Sequence, residues 1–185
     1  MQTKPEVYVN RAGVWFFRNT PIENESILNY FKRNLKRDAE GLYYIENKFG
    51  ERQEEGYIQG VEGFPLAVRT LGFESGPMAS LECEIEYTLD ADFIGAAAST
   101  EPTLLFYQGT DIIWTVIQPE GSSRGVPVRL SGPCMASLHD NMQESQSGFT
   151  LKTPSRDYPI LERSPEDFFQ KIDLTPPSES DNPIE

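Results

Sequence analysis

The chain has 185 residues, of which 38% are hydrophobic and 11% aromatic. These residues are enough to form the core of one compact domain or of two small, closely packed domains. A disordered chain has far less apolar surface. The 29 acidic residues outnumber the 16 basic ones, for a formal net charge of −13. Such a charge repels nucleic-acid phosphates and anionic lipids at long range, so we expect no nucleic-acid partner and no membrane partner.

The first residues and the number of cysteines indicate the cellular compartment of the protein. Residues 1–6 are not a charged start followed by an apolar stretch, and no apolar run in the sequence approaches the ~20 residues that span a bilayer. Two cysteines, Cys83 and Cys134, are too few for a disulfide scaffold or a four-ligand zinc site. We therefore expect a reduced, cytoplasmic protein.

The first half has the pattern of a hairpin followed by a helix. Two short runs rich in Val and aromatic residues flank residues 10–13, whose Asn and Gly suit a tight turn. Thr20-Pro21-Ile22-Glu23 matches a capping box, so we predict a helix that begins there and ends at residues 38–41. Its basic residues are expected on the solvated side; they are Lys32, Arg33, Lys36 and Arg37.

Short strands are predicted around this helix and again later in the chain. In the first half they cover residues 42–46, 56–61 and 65–71, and we expect antiparallel pairing because the connections are short. Strict alternation over residues 81–89 predicts a strand that carries three carboxylates, Glu82, Glu84 and Glu86, on one face.

The pattern after residue 100 predicts further strands and one more helix. The strands cover residues 103–107, 112–118, 126–130 and 149–152, and the third is expected at a sheet edge because Pro127 cannot donate a hydrogen bond. Ser131-Gly132-Pro133 predicts the start of a helix whose apolar face includes Met135, Leu138 and Met142.

The predicted fold class is α+β, with two similar small units of short antiparallel strands and one helix each. The units are residues 1–71 and 81–152, joined by a linker over residues 72–80 that is rich in Gly, Ser and Pro. Residues 153–185 form an extension, with a short helix that begins at residues 164–167 and a disordered acidic tail over residues 175–185.

Patterns that suggest catalysis fail on their context. Gly121-Ser122-Ser123-Arg124-Gly125 matches G-x-S-x-G, but a predicted strand follows it and no acid separates it from the single histidine, His139. Cys134 and His139 are five residues apart, which places them on different sides of a helix. We interpret the serine motif as a loop, and we predict no catalytic residue, no metal and no cofactor.

Two arginines within apolar strands, with nearby rings, are the candidates for ligand binding. Because a buried, unpaired cation is costly, each arginine either pairs with an acid of the chain or faces an anionic ligand. The candidate ligand-binding residues are Arg129, Arg69, Trp15, Tyr44 and Tyr107.

Several motifs occur in the order found in a known family. They are Gly13-Val14-Trp15, Asn19-Thr20-Pro21-Ile22, Phe31, Leu35, Arg37-Asp38, Gly41, Tyr43-Tyr44, Val61-Glu62-Gly63-Phe64-Pro65-Leu66 and, later, Val126-Pro127-Val128-Arg129 before Met135-Ala136-Ser137-Leu138. Over about residues 6–152 the sequence thus resembles an uncharacterised bacterial family, domain of unknown function 1285 (DUF1285). The resemblance implies an α+β fold of two similar units and a part in ligand binding or signal transduction, and it brings no catalytic residues.

Three functions remain as hypotheses. The first is a non-enzymatic ligand-binding or regulatory module that holds a small anionic ligand, or a protein partner, in the crease between its two halves. The second is a hydrolase that uses Ser123 or Cys134, or an enzyme with a metal bound by carboxylates. The third is an interaction module whose acidic tail or sheet edge docks a basic protein. The sequence does not indicate an oligomeric state.

Overall fold

A computed structural model describes residues 6–74, 76–89, 104–146 and 148–172 of the chain. Within these residues the protein is mostly β-sheet with two α-helices, so the predicted mixture of helix and sheet is confirmed. No helix in these ranges has the length and apolar character needed to cross a membrane.

The helices are α1 (Glu25–Arg33) and α2 (Gly132–Leu138). The strands in chain order are β1 (Val7–Val9), β2 (Trp15–Phe17), β3 (Thr20–Pro21), β4 (Leu35–Arg37), β5 (Tyr43–Phe49), β6 (Arg52–Tyr57), β7 (Gly60–Val61), β8 (Leu66–Gly72), β9 (Met78–Leu81), β10 (Glu86–Thr88), β11 (Leu104–Phe106), β12 (Ile113–Ile117), β13 (Val126–Leu130), β14 (Met142–Ser145), β15 (Gly148–Lys152) and β16 (Asp157–Glu162). Single turns of 3₁₀-helix cover His139–Asn141 and Glu166–Phe168.

The described strands form three sheets. Four strands pair in the order β3-β2-β1-β7, three in the order β4-β5-β6, and nine in the order β10-β9-β8-β13-β12-β11-β16-β15-β14. Three pairs are parallel: β1 with β7, β8 with β13, and β11 with β16. The expectation of antiparallel pairing is therefore wrong for these pairs, because each joins strands far apart in sequence, with ample chain for a crossover.

The middle of the chain differs from its prediction in the position of β13. This strand lies inside the large sheet between β8 and β12, so the predicted edge position is wrong. The sheet accommodates Pro127 because pairing with β8 begins only at Val128. Strands β8 and β9 pair with each other, and part of the predicted linker over residues 72–80 belongs to these two strands. The division into two similar units stays a prediction.

Helix α1 begins later than the capping box predicts. Arg18 and Asn19 adopt positive φ angles of 47° and 66°, and this tight turn returns Thr20–Pro21 to pair with β2 as β3. The side-chain oxygen of Asn24 instead caps the helix by accepting from the N–H of Ile27 at 3.1 Å. The predicted cap at Thr20 is wrong because the hairpin turn takes that segment into the sheet.

Helix α1 also ends earlier than predicted. It stops at Arg33, and Lys36 and Arg37 lie in strand β4, where both side chains are buried. The expected solvated position of these two residues is wrong. Strand β4 pairs with β5, and the loop at residues 121–125 packs against it.

Residues 81–89 form a hairpin rather than one strand. The turn between β9 and β10 places Glu84 at a φ of 63°. Glu82 and Glu84 pair with Lys32 and Arg33 at the end of α1, at 2.6 and 3.0 Å. The predicted face of three carboxylates is therefore wrong: its first two members neutralise the basic end of the helix.

The core has two parts on opposite faces of β12. Ile113 and Ile117 point into the main cluster, which joins buried side chains of all three sheets and α2. Trp114 and Val116 alternate with them and point to the other face. There they form a smaller cluster with Phe64, Leu105 and Phe168. The candidate site lies beside this smaller cluster.

The C-terminal extension returns to the first sheet. After β16, the predicted short helix is the 3₁₀ turn Glu166–Phe168. Gln170 then exchanges backbone hydrogen bonds with Val61 of β7, at 2.7 and 2.8 Å. The predicted disordered tail over residues 175–185 lies outside the described residues.

Candidate functional site

A cavity of about 500 Å³ opens between the first hairpin turn, the segment before β8, the β11–β12 turn and the C-terminal extension. It therefore gathers side chains from both halves of the chain. Its lining residues are Arg11, Glu62, Gly63, Phe64, Tyr107, Ile112, Glu166, Phe169 and Lys171.

The floor of this cavity is aromatic and firmly packed. Phe64 meets Phe169 edge to face, with ring centroids 5.4 Å apart, and lies 5.9 Å from the ring of Trp114. Trp114 is fully buried, and its Nε1 donates to the carbonyl oxygen of Arg163 at 3.1 Å. Because these rings support one another, the floor is formed before any ligand arrives.

Gly63 positions one wall of the cavity. A Cβ at this residue would lie 2.5 Å from the carbonyl oxygen of Asn10 and 2.6 Å from that of Arg11, so only glycine allows the two backbones to approach this closely. Trp15 strengthens the same junction, because its Nε1 donates to the carbonyl oxygen of Pro65 at 2.9 Å. The close approach at Gly63 places Arg11 at the rim of the cavity, and Phe64, the residue after Gly63, forms part of the floor.

Two cations stand at the rim. The Arg11 side chain is 89% exposed, and its Nε lies 3.8 Å from Oε2 of Glu62, which is a weak contact in water. Oε1 of Glu62 accepts from the backbone N–H of Ile172 at 3.3 Å. Lys171 is exposed and forms no ion pair with a described residue. Both cations are exposed, and the weak contact of Arg11 with Glu62 leaves its guanidinium accessible to a ligand.

Tyr107 joins the rim to the C-terminal extension. Its hydroxyl donates to Oε1 of Glu166 at 2.8 Å. This hydrogen bond is the main cause that raises the pKa of Tyr107, and burial adds to it. The phenol is therefore neutral near pH 7, and its oxygen can still accept a hydrogen bond from a ligand.

Of the predicted ligand-binding rings, Tyr107 lines the cavity and the other two do not. Trp15 is 2% exposed and belongs to the main core cluster. Tyr44 packs against Tyr57 on the three-stranded sheet, with centroids 5.6 Å apart. The ligand-binding roles of these residues stay predictions.

The two predicted arginines lie side by side on the large sheet. Arg129 pairs with Ala67 in the β8–β13 ladder, two residues before Arg69. Both arginines are exposed, and neither forms an ion pair or side-chain hydrogen bond with a described residue. The premise that they are buried is wrong, because alternation along β13 sends Val128 and Leu130 inward and Arg129 outward.

Sequence patterns did not reveal most of the cavity. Arg11 lies in a predicted turn, and Glu166, Phe169 and Lys171 belong to the extension. The available signal in the sequence was Gly63-Phe64-Pro65, which interrupts the strand pattern. It indicates that another backbone segment comes close, but it does not identify that segment.

The G-x-S-x-G match is a loop fastened to β4. Ser122 is buried, and its Oγ accepts from the N–H of Arg37 at 2.8 Å and donates to the carbonyl of Arg124 at 2.7 Å. The backbone N–H of Ser123 donates to the carbonyl of Arg37 at 2.9 Å. These bonds give the loop a structural role.

Cys134 and His139 do not form a catalytic pair. Cys134 is 1% exposed, and burial raises the pKa of its thiol to about 11. The His139 side chain is 87% exposed and lies near Asp140. In the part of the chain that the structure describes, no three potential metal ligands gather.

A solved structure shares this architecture. A DUF1285 family protein from Silicibacter pomeroyi DSS-3 superposes with a TM-score of 0.52, at 15% sequence identity, over 85% of this chain and 80% of that chain. The fold is that of a DUF1285 family protein. A second DUF1285 family protein, from Shewanella baltica OS155, aligns with a TM-score of 0.49 and 16% identity over 74% of this chain and 91% of that one.

At the level of the fold, the DUF1285 resemblance predicted from the sequence motifs is confirmed. No family model and no curated protein matches the sequence. The DUF1285 fold thus describes the architecture, and the function depends on the side chains that line the cavity.

Proposed function

We propose that this protein is a non-enzymatic ligand-binding module with a regulatory role, and that a small anionic ligand binds in the cavity beside Tyr107. The observation that supports this function is the composition of the cavity, in which an aromatic floor lies below two exposed cations, Arg11 and Lys171. Its volume, about 500 Å³, falls in the range common for small-molecule sites.

The lining indicates the kind of ligand. An apolar or aromatic body would lie against Phe64, Ile112 and Phe169, while its anionic group would reach Arg11 and Lys171. Two carboxylates also line the cavity: Glu166 accepts from Tyr107, and Glu62 accepts from the backbone N–H of Ile172 and lies 3.8 Å from Nε of Arg11. An anionic ligand would therefore displace the weak contact between Glu62 and Arg11. A second cavity, of about 580 Å³ near Phe73 and Met78, offers no cation among its lining residues.

The regulatory part of the proposal rests on where the walls come from. The cavity lies in the crease between the predicted units 1–71 and 81–152, and the extension closes one side. A ligand that contacts all three parts would stabilise their packing against one another, to the extent that it binds the packed arrangement better than a loosened one. A cytoplasmic location is also part of the proposal, supported by the free thiols of Cys83 and Cys134.

A thermal-shift screen of anionic metabolites and nucleotides tests this function. We expect at least one compound to raise the melting temperature in a concentration-dependent way. Each of Arg11→Ala and Lys171→Ala should weaken binding about tenfold or more, because each removes a charge-assisted contact. The absence of any stabilising compound overturns the proposal.

Matched variants separate this cavity from other positive surface. Arg52→Ala removes an exposed arginine from the β6 strand, which does not line the cavity, so it should leave the affinity unchanged. Arg129→Ala tests the site predicted from the sequence. Loss of binding in Arg129→Ala, with normal binding in Arg11→Ala and Lys171→Ala, would assign the ligand to the β8–β13 surface instead.

A further inference from the structure

Arg37 is a buried arginine that has no carboxylate partner among the described residues. It is 5% exposed, and its guanidinium donates to carbonyl oxygens, from Nε to Gly41 at 3.2 Å and from Nη1 to Gly125 at 3.0 Å. Burial lowers the pKa of Arg37, although an arginine stays charged near pH 7. A buried cation without a counter-ion is costly.

The neighbouring charges compensate this cost only in part. Asp38 attracts the charge of Arg37 through space, but its carboxylate makes its hydrogen bonds elsewhere, with the N–H of Leu42 at 2.8 Å and the hydroxyl of Tyr57 at 3.0 Å. On the other side, Lys36 has its own partner, Glu46, at 2.8 Å. Among the described residues, no carboxylate thus forms an ion pair with Arg37.

A second guanidinium lies at the same place. A Cβ built on Gly41 would lie 3.1 Å from Nη2 of Arg37 and 3.2 Å from Nη1 of Arg124, so both groups converge over this glycine. Neither nitrogen forms a hydrogen bond with a described residue, and Arg124 is exposed. Two cations this close repel each other. The attraction of both cations to an anion bound between them would outweigh that repulsion.

The surroundings hold Arg37 in position. Its guanidinium lies 5.0 Å from the ring centroid of Tyr43 and 5.5 Å from that of Phe168. The loop that carries Arg124 is fastened to β4 by Ser122 and Ser123. The Arg37 donors are therefore oriented before an anion arrives, and the backbone that carries Arg124 is fixed beside them, which lowers the entropic cost of binding.

We propose that Nη2 of Arg37 and Nη1 of Arg124 form a second anion site over Gly41, and that it binds the phosphate or carboxylate group of a small molecule. An oxyanion can accept from both guanidinium groups at once through different oxygens. Gly41, at a φ of 91°, carries no side chain to block the approach. Neither arginine lines the cavity beside Tyr107, so the two sites stand independently.

Calorimetric titration with inorganic phosphate at constant ionic strength tests this site. We expect saturable binding to the wild type, binding at least tenfold weaker to Arg124→Ala, and unchanged binding to Arg52→Ala, which removes an equal charge elsewhere. Because Arg37 also ties β4 to the loop, Arg124→Ala is the decisive variant. Its exposed side chain makes no hydrogen bond with a described residue that the fold would lose.

Two results would overturn the second site. One is wild-type affinity for phosphate in Arg124→Ala, which would leave Arg37 with a purely structural role. The other is loss of phosphate binding in Arg11→Ala with Lys171→Ala, together with normal binding in Arg124→Ala, which would place the phosphate in the cavity. Both results are phosphate affinities of defined variants, so they keep their meaning even if the metabolite screen finds no ligand for the cavity.

Discussion

Glu46 is a nearly buried carboxylate held by two lysines. Its Oε2 lies 2.8 Å from Nζ of Lys36 and 3.2 Å from Nζ of Lys48. The hydrogen bond from Lys36 is the main cause that lowers the pKa of Glu46, while burial acts in the opposite direction. A carboxyl whose pKa is lower in the folded state stabilises the protein above its unfolded pKa, and this contribution is lost as the pH falls through the folded value.

We expect Glu46→Gln to lower the free energy of unfolding at pH 7 by about 2 kcal/mol, because it leaves Lys36 without a counter-charge. The difference from wild type should shrink as the pH falls below the usual range of a carboxyl pKa and through the lowered value of Glu46, where the wild-type carboxylate itself becomes protonated. Urea denaturation at pH 7 and at pH 3 measures both effects. Glu54→Gln, at an exposed acid that pairs with Arg52, is the control and should change little. Equal losses at both pH values would contradict this account.

At the scale of single elements, local patterns predicted several strands and one helix start. The hairpin around residues 10–13 and the strand that became β12 follow from turn residues and from alternation. Ser131 caps α2 as expected, because its Oγ accepts from the N–H of Cys134 at 3.3 Å. These features depend on neighbours within a few residues, and sequence patterns report those directly.

Elements set by distant contacts were not predictable in this way. Strand β16 contains Pro159, which weakens its local signal, yet it lies between β11 and β15 in the large sheet. Met142 continues the apolar pattern of α2 but begins β14. For the same reason the sequence identified Tyr107 as a ligand candidate without indicating that Arg11 and Lys171 stand beside it.

Replacement of the cap of α1 compares the predicted and observed helix starts. Asn24→Ala should cost about 1 kcal/mol of stability, because it removes the acceptor for the N–H of Ile27. Thr20→Ala, at the start that the capping box predicts, should cost clearly less, because Thr20 is exposed in β3. Thermal and urea denaturation of the two variants give the comparison. A larger loss in Thr20→Ala than in Asn24→Ala would contradict the observed cap.

At the scale of the whole molecule, Phe168 links the extension to both halves. Its ring meets Trp114 edge to face with centroids 5.5 Å apart and receives the guanidinium of Arg37 at 5.5 Å. Its carbonyl oxygen accepts from the hydroxyl of Tyr43 at 2.6 Å. The extension is therefore part of the folded core and also supports the floor of the cavity.

We expect Phe168→Ala to lower the free energy of unfolding by about 3 kcal/mol, because it opens a void against Trp114. Urea denaturation measures the loss, and tryptophan emission should shift to longer wavelength as Trp114 gains access to water. The control is Phe17→Ala on β2, where the ring is 43% exposed, with an expected loss below about 1 kcal/mol. Similar losses in the two variants would show that the extension contributes little to the core.

The parallel pairing of β8 with β13 sets an order of events during synthesis. Residues 66–72 leave the ribosome well before residues 126–130, and until then β8 can pair only with β9. The nascent chain therefore presents an unpaired strand edge while more than fifty residues are added, a condition that invites contact with other chains. The large sheet closes only after β13 arrives, so this contact between distant strands limits how early the protein reaches its native form.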